Sequence, residues 1–179
     1  MTIYWGDGTS TATHPASNFS GGSTGHIVQV VQSVKTSAFR TSSLSWVDIT
    51  GMTGTITPTS SNNKILVTGN FVLGTTNGGY FQFRILRGST AIDIGPSDGS
   101  KTRATYSSFA NSYGSQYNFA YTPMYLDSPA TTSATTYKTQ FQVPHSSYGA
   151  VINCTYADDD TDFLSTYQSN FTLMEVAAS

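Results

Sequence analysis

The sequence predicts an all-β fold, an antiparallel β-sandwich or jelly roll of about nine or ten strands with an extended N-terminal arm. Three observations carry this. Short runs of β-branched and aromatic residues alternate apolar with polar. Turn formers such as 96–99 (Pro-Ser-Asp-Gly) separate them. No stretch repeats its apolar residues near the helical period of about 3.6. Many short strands without helices point to a sandwich or jelly roll.

In chain order, residues 1–25 stand apart as an arm rich in Gly, Ser, Thr, Asn and Pro, opening on the apolar knot Ile3, Tyr4 and Trp5. A segment of that composition has little of its own to fold around. Docking on another chain or a larger assembly is therefore expected, with Ile3, Tyr4 and Trp5 as the anchor. Residues 26–179 form the sandwich domain.

Its first strand signal is HIVQVVQSV (26–34), followed by LSWVDI (44–49), a break at Gly51, and GTITP (54–58). Asn62 and Asn63 then bend the chain into KILVTGNFVL (64–73). There Ile65, Val67, Phe71 and Leu73 form one apolar face. GYFQFRIL (79–86) places Phe81, Phe83 and Ile85 opposite Gln82 and Arg84. RATYSSFA (103–110) and NFAYTPMYL (118–126) alternate less clearly, and Pro123 suits an edge strand or a bulge. TYKTQFQV (136–143) sets Tyr137, Thr139, Phe141 and Val143 against Lys138, Gln140 and Gln142. AVINCTY (150–156) and TYQSNFTLMEV (166–176) complete the set.

Composition narrows the function. Only 10% of the 179 residues are charged, and Ser and Thr fill roughly three positions in ten against a far lower average usage. Aromatics at 13% argue for a folded chain. A net charge of −2 with 8 scattered Lys and Arg gives no attraction for phosphates, so no nucleic-acid partner is expected. No apolar run approaches the roughly 20 residues of a membrane helix, and no basic-plus-apolar leader opens the chain, so no membrane insertion is expected. Cys154, the single cysteine, reads as a small buried hydrophobe.

Chemistry is hard to find. Residues 21–25 spell G-x-S-x-G, but with a loop before the serine and a strand after it, the reverse of a hydrolase elbow. His14, His26 and His145 lack metal-ligand spacing. The run Asp158, Asp159, Asp160 and Asp162 lacks the glycine and closing glutamate of an EF-hand loop and reads as a solvated turn. Paired carboxylates for glycoside cleavage are not legible: Glu175 is the only glutamate, and Asp48, Asp93 and Asp127 sit in or beside strands without a pattern. The expectation is a protein that is not an enzyme, with no catalytic residues, no cofactor and no metal. In the tyrosine-rich stretch 105–125, Tyr113 and Tyr117 flank Gly114 and read as surface contact residues suited to stacking on sugar rings, whereas Phe119 and Tyr121 read as core.

Four segments carry a resemblance: Gly25 to Gln32 (GHIVQVVQ), Asp48 to Met52 (DITGM), Ile56 to Val67 (ITPTSSNNKILV) and Leu173 to Glu175 (LME). Together they resemble a group of bacteriophage virion proteins of marine and cyanobacterial phages, labelled tail fibre or structural protein. Residues 88–165 match nothing in that pattern. The resemblance implies a β-sandwich framework displayed on the virion surface, assembled in the host cytoplasm and trimeric, with Thr59 to Asn63 as a loop between two strands. The chain lacks coiled-coil heptads, collagen-like repeats and a β-helical shaft. A capsid decoration, cement or head-knob protein, held to other virion proteins by its arm, is therefore expected ahead of a tail-fibre tip that contacts host surface glycan.

Overall fold

The computed structural model describes residues 25–76, 78–110, 118–155 and 165–178. The described residues form twelve strands: β1 (Ile27–Lys35), β2 (Phe39–Thr41), β3 (Val47–Ile56), β4 (Lys64–Thr75), β5 (Tyr80–Arg87), β6 (Thr90–Ile92), β7 (Tyr106–Phe109), β8 (Asn118–Tyr121), β9 (Met124–Asp127), β10 (Thr135–Gln142), β11 (Ala150–Ile152) and β12 (Ser169–Val176). The all-β reading holds, and every pairing is antiparallel. No helix among the described residues is long and apolar enough to cross a membrane.

Two curled sheets face each other. The seven-stranded sheet runs β1-β12-β4-β11-β2, with β8 and β9 also paired to the long strand β4. The five-stranded sheet runs β3-β10-β5-β6, with β7 also on β5. The alternation in β4, β5 and β10 sets the core as expected: Phe71, Phe81, Phe83, Tyr137, Phe141 and Phe171 are fully buried between the sheets. Phe83 meets Phe71 at 5.0 Å and Phe141 at 5.8 Å between ring centroids, in the tilted and edge-on arrangements that aromatic rings favour. Phe119 and Tyr121 pack against this core, and Cys154 is buried.

The strand count exceeds the nine or ten expected, for three reasons. β2 and β6 are three residues each, too short to show a period. NFAYTPMYL divides at Pro123 into β8 and β9, both on the free edge of β4, where a missing N–H costs no ladder bond. In the opposite direction, the expected break at Gly51 is absent. β3 runs straight through it, with Gly51 at φ +86° and a register shift against β10 between Lys138 and Gln140. The glycine makes a bulge in place of a turn. AVINCTY is strand only as far as Ile152, since Asn153 turns into the left-handed region at φ 64°.

Candidate functional site

The residues singled out in the sequence for contact, Ile3, Tyr4, Trp5, Tyr113 and Tyr117, lie outside the described residues, as does the run Asp158 to Asp162. Of the 1–25 arm only Gly25 is described; its N–H donates to Ala177 O at 3.0 Å, which places Gly25 beside the end of β12. Among the described residues no three His, Cys, Asp or Glu gather as a metal site.

The carboxylates that showed no pattern in sequence acquire one in the fold. Glu175 and Asp127 both point inward, one on each side of Ile65 along a single rung of the seven-stranded sheet. Glu175 is fully buried. Its Oε1 accepts from Thr59 N (2.7 Å), Thr59 Oγ1 (2.8 Å) and Asn63 Nδ2 (2.6 Å), and its Oε2 accepts from Gln29 Nε2 (2.6 Å). Burial alone would raise its pKa, but the donors from Asn63, Gln29 and Thr59 outweigh it and hold the group at about 2. Asn63 Oδ1 in turn accepts from Ala178 N at 3.1 Å, closing the 59–63 loop onto the segment after β12. Asp127 accepts from Arg87 Nη1 at 2.8 and 2.9 Å and from Tyr137 Oη at 2.6 Å. Both groups are fully satisfied and tie separate strands together, so they act as structural staples.

Asp48 sits on the outer face of the five-stranded sheet. Lys138 Nζ reaches its Oδ2 at 2.8 Å and Gln140 Nε2 its Oδ1 at 2.6 Å. The Lys138 hydrogen bond, helped by Gln140 and opposed by burial, holds the carboxyl below its usual range. The network continues through Arg84 Nε to Gln140 Oε1 at 2.8 Å, and the Arg84 guanidinium lies 4.1 Å over the Trp46 ring. Gln142 donates to Gln82 Oε1 at 2.6 Å, and Thr55 meets Thr136 at 2.9 Å. This face is polar and knitted together.

The outer face of the seven-stranded sheet is the opposite. Register places Val30 beside Met174, Met174 beside Leu66, and Leu66 beside Leu126, an apolar row four strands wide. Val30 and Leu126 are each 53% exposed, and Met124 in the neighbouring row is 79% exposed. Val28 and Val34 extend the same face along β1, and Ile27 is exposed at the start of that strand. Along the outward positions of β4 and β12, from Lys64 to Val72 and from Asn170 to Val176, Lys64 is the single charged side chain. The rows beyond it, Gln32–Thr172–Thr68 and Val34–Asn170–Asn70, are largely polar but uncharged. An exposed apolar row on a nearly uncharged face marks a candidate interaction surface on a folded domain. The sequence concealed it, because Val30, Leu66, Leu126 and Met174 belong to four strands and resemble ordinary strand residues.

The side of the sandwich between the edge strands β6 and β7 on one sheet and β8 and β9 on the other is closed unevenly. At its middle the Tyr106 and Tyr121 rings stack at 4.4 Å. Burial, with Asp93 and Tyr106 nearby, pushes the Tyr121 hydroxyl up to about 12. Farther along, a cleft of about 710 Å³ opens, lined by Arg87, Ile92, Asp93, Thr105, Tyr125 and Asp127 among others.

No protein-family model and no curated protein matches this chain. Among solved structures, a chain from the structure of infectious bursal disease virus Gx strain aligns with 84% of this chain at a TM-score of 0.38 and 14% identity. The alignment covers 37% of that longer chain. At that level of similarity neither fold nor function is transferred.

Proposed function

We propose that this protein is a bacteriophage virion surface structural protein, non-enzymatic, that self-associates as a trimer through the apolar outer face of its seven-stranded sheet. In this reading the arm with Ile3, Tyr4 and Trp5 attaches it to other virion proteins. The observation that carries the proposal is the contrast between the two outer faces. The Asp48–Lys138–Gln140–Arg84 face is knitted together by polar side chains, whereas the Val30–Met174–Leu66–Leu126 row leaves Val30 and Leu126 half exposed at its two ends, beside the still more exposed Met124. Each such side chain, once covered, contributes about 1 kcal/mol. Further copies of the chain are the occupants that fit, because a nearly uncharged face meets no repulsion from a neighbouring copy, and closed threefold symmetry buries every copy equally. The resemblance of the 25–32, 48–52, 56–67 and 173–175 segments to phage virion proteins supports the setting, and a capsid decoration, cement or head-knob role is its most specific form.

The test has two arms. Sedimentation of the full chain should give a trimer, and Leu126→Lys or Val30→Lys should give a folded monomer. A wild-type monomer at high concentration sinks the self-association. Imaging of purified virions with and without the chain should show density lost from symmetric positions on the head. Loss confined to the tail would favour a fibre tip that contacts host surface glycan, the second reading, for which the cleft beside Asp93 is the specific observation.

A further inference from the structure

The cleft between β6 and β9 lies where the two sheets fail to seal. Its volume of about 710 Å³ falls within the range of small-ligand sites. Gly95, Ala104 and Thr105 also line an adjoining second hollow of about 430 Å³ that reaches Lys101 and Tyr106. Two adjoining hollows suit a ligand with more than one unit.

Three side chains give it chemistry. Asp93 follows β6 with φ 51°, a left-handed conformation that costs a non-glycine residue about 1 kcal/mol. That conformation holds its half-buried carboxylate at the cleft, where it makes no hydrogen bond or ion pair with any described residue. Burial pushes the carboxyl above its usual range with nothing to offset it. Arg87 spends Nη1 on Asp127 and on Ser128 O, and its Nε and Nη2 make no hydrogen bond with any described residue. Tyr125 lines the same space with a half-buried ring.

We infer that this groove binds a neutral carbohydrate chain: sugar hydroxyls donate to the Asp93 carboxylate, Arg87 donates to sugar oxygens, and the Tyr125 ring packs on a C–H face of a sugar. The mixture of charges selects the class. An anionic ligand meets the Asp93 carboxylate, a cationic one meets Arg87 and, in the second hollow, Lys101 and Arg103, and an apolar one strips water from Asp93 with no partner in exchange. A polyhydroxylated neutral ligand satisfies all three groups and offers the flat apolar face that an aromatic ring recognises.

The inference does not depend on particle membership, and the experiment keeps the two apart. The purified full chain is applied to a broad printed array of bacterial polysaccharides, and the neutral polysaccharide it retains is titrated against wild type, Asp93→Asn and Tyr125→Ala. Asn is at home at positive φ and keeps the volume of Asp, so that variant stays folded even if Tyr125→Ala does not. The expected result is retention of a neutral polysaccharide that persists in high salt, weakened by about tenfold or more in Asp93→Asn through loss of a charge-assisted acceptor. No retained glycan, retention of acidic polysaccharides alone, or undiminished binding by Asp93→Asn each overturns the inference. A chain that binds sugar yet joins no particle leaves it standing and sinks the virion reading.

Discussion

Glu175 accepts a hydrogen bond of 2.6 Å from Asn63, a residue 112 positions away in sequence. Gln29 and Thr59 complete the same carboxylate shell, so β1, the loop after β3 and the last strand meet at one buried charge. These are also three of the four segments that carry the phage-protein resemblance. What look like separate motifs along the chain are one device in space: a carboxylate on β12 that fixes the 59–63 loop and anchors both neighbours.

Glu175→Gln should destabilise the domain by about 2–4 kcal/mol, because one acceptor oxygen becomes an amide NH2 set against the Gln29 or the Asn63 and Thr59 donors, and the charge that strengthened the remaining bonds is gone. The pH dependence follows the same group. Its folded pKa of about 2 lies below its ordinary value of 4.5, so its contribution is complete above 4.5 and is lost as pH falls toward 2. Urea denaturation across that range should show wild-type stability falling more steeply than that of the variant, in which Asp48 and Asp93 still titrate; parallel curves would refute the assignment.

Arg87→Met should cost about 3–5 kcal/mol, since it leaves Asp127, 4% exposed, charged with Tyr137 as its remaining partner. Arg87→Met combined with Asp127→Leu should recover part of that loss, because an apolar pair removes both desolvation costs together while the buried Tyr137 hydroxyl loses its acceptor. Thermal melts of the two variants decide it: a double variant no more stable than the single one would mean that the pair is needed for strand pairing itself.

Gly69→Ala should destabilise by about 1–3 kcal/mol or more, the cost of overpacking. A Cβ there would stand 2.3 Å from the backbone oxygen of Asn170 and 3.0 Å from the Phe71 ring, and the backbone of the paired β12 cannot yield without opening the ladder. Gly54→Ala is the comparison: its closest neighbour is the Leu173 side chain at 3.0 Å, which can rotate, so the loss there should be smaller. Equal losses in denaturation would show that β12 shifts freely.

Asp93→Asn should leave stability unchanged or raise it at neutral pH. The folded carboxyl binds its proton more tightly than the unfolded one, so wild-type stability falls as pH rises from the ordinary aspartate value of 3.8 through the raised folded value. The variant, lacking that titration, should lose this downward slope. A variant less stable than wild type at pH 7 would mean that the Asp93 carboxylate has a structural partner.

The sequence by itself determined which segments become strands and which side chains enter the core. Alternation along β4, β5 and β10 is a local property with a period of two, and it places Phe71, Phe83 and Phe141 inward whatever the strands pair with. It also suggested that Pro123 belongs at a sheet edge. It could not show that Gly51 bulges within one strand, because a turn and a bulge both call for the same left-handed glycine. Nor could it separate Glu175 and Asp127, which staple the fold, from Asp93, whose carboxylate bonds to no side chain or backbone group among the described residues. Only the tertiary structure decided those roles, and the apolar row and the open edge with them. Each depends on which residue the sheet places opposite another, often more than 100 positions away, and that choice is made by pairing and packing of the whole chain.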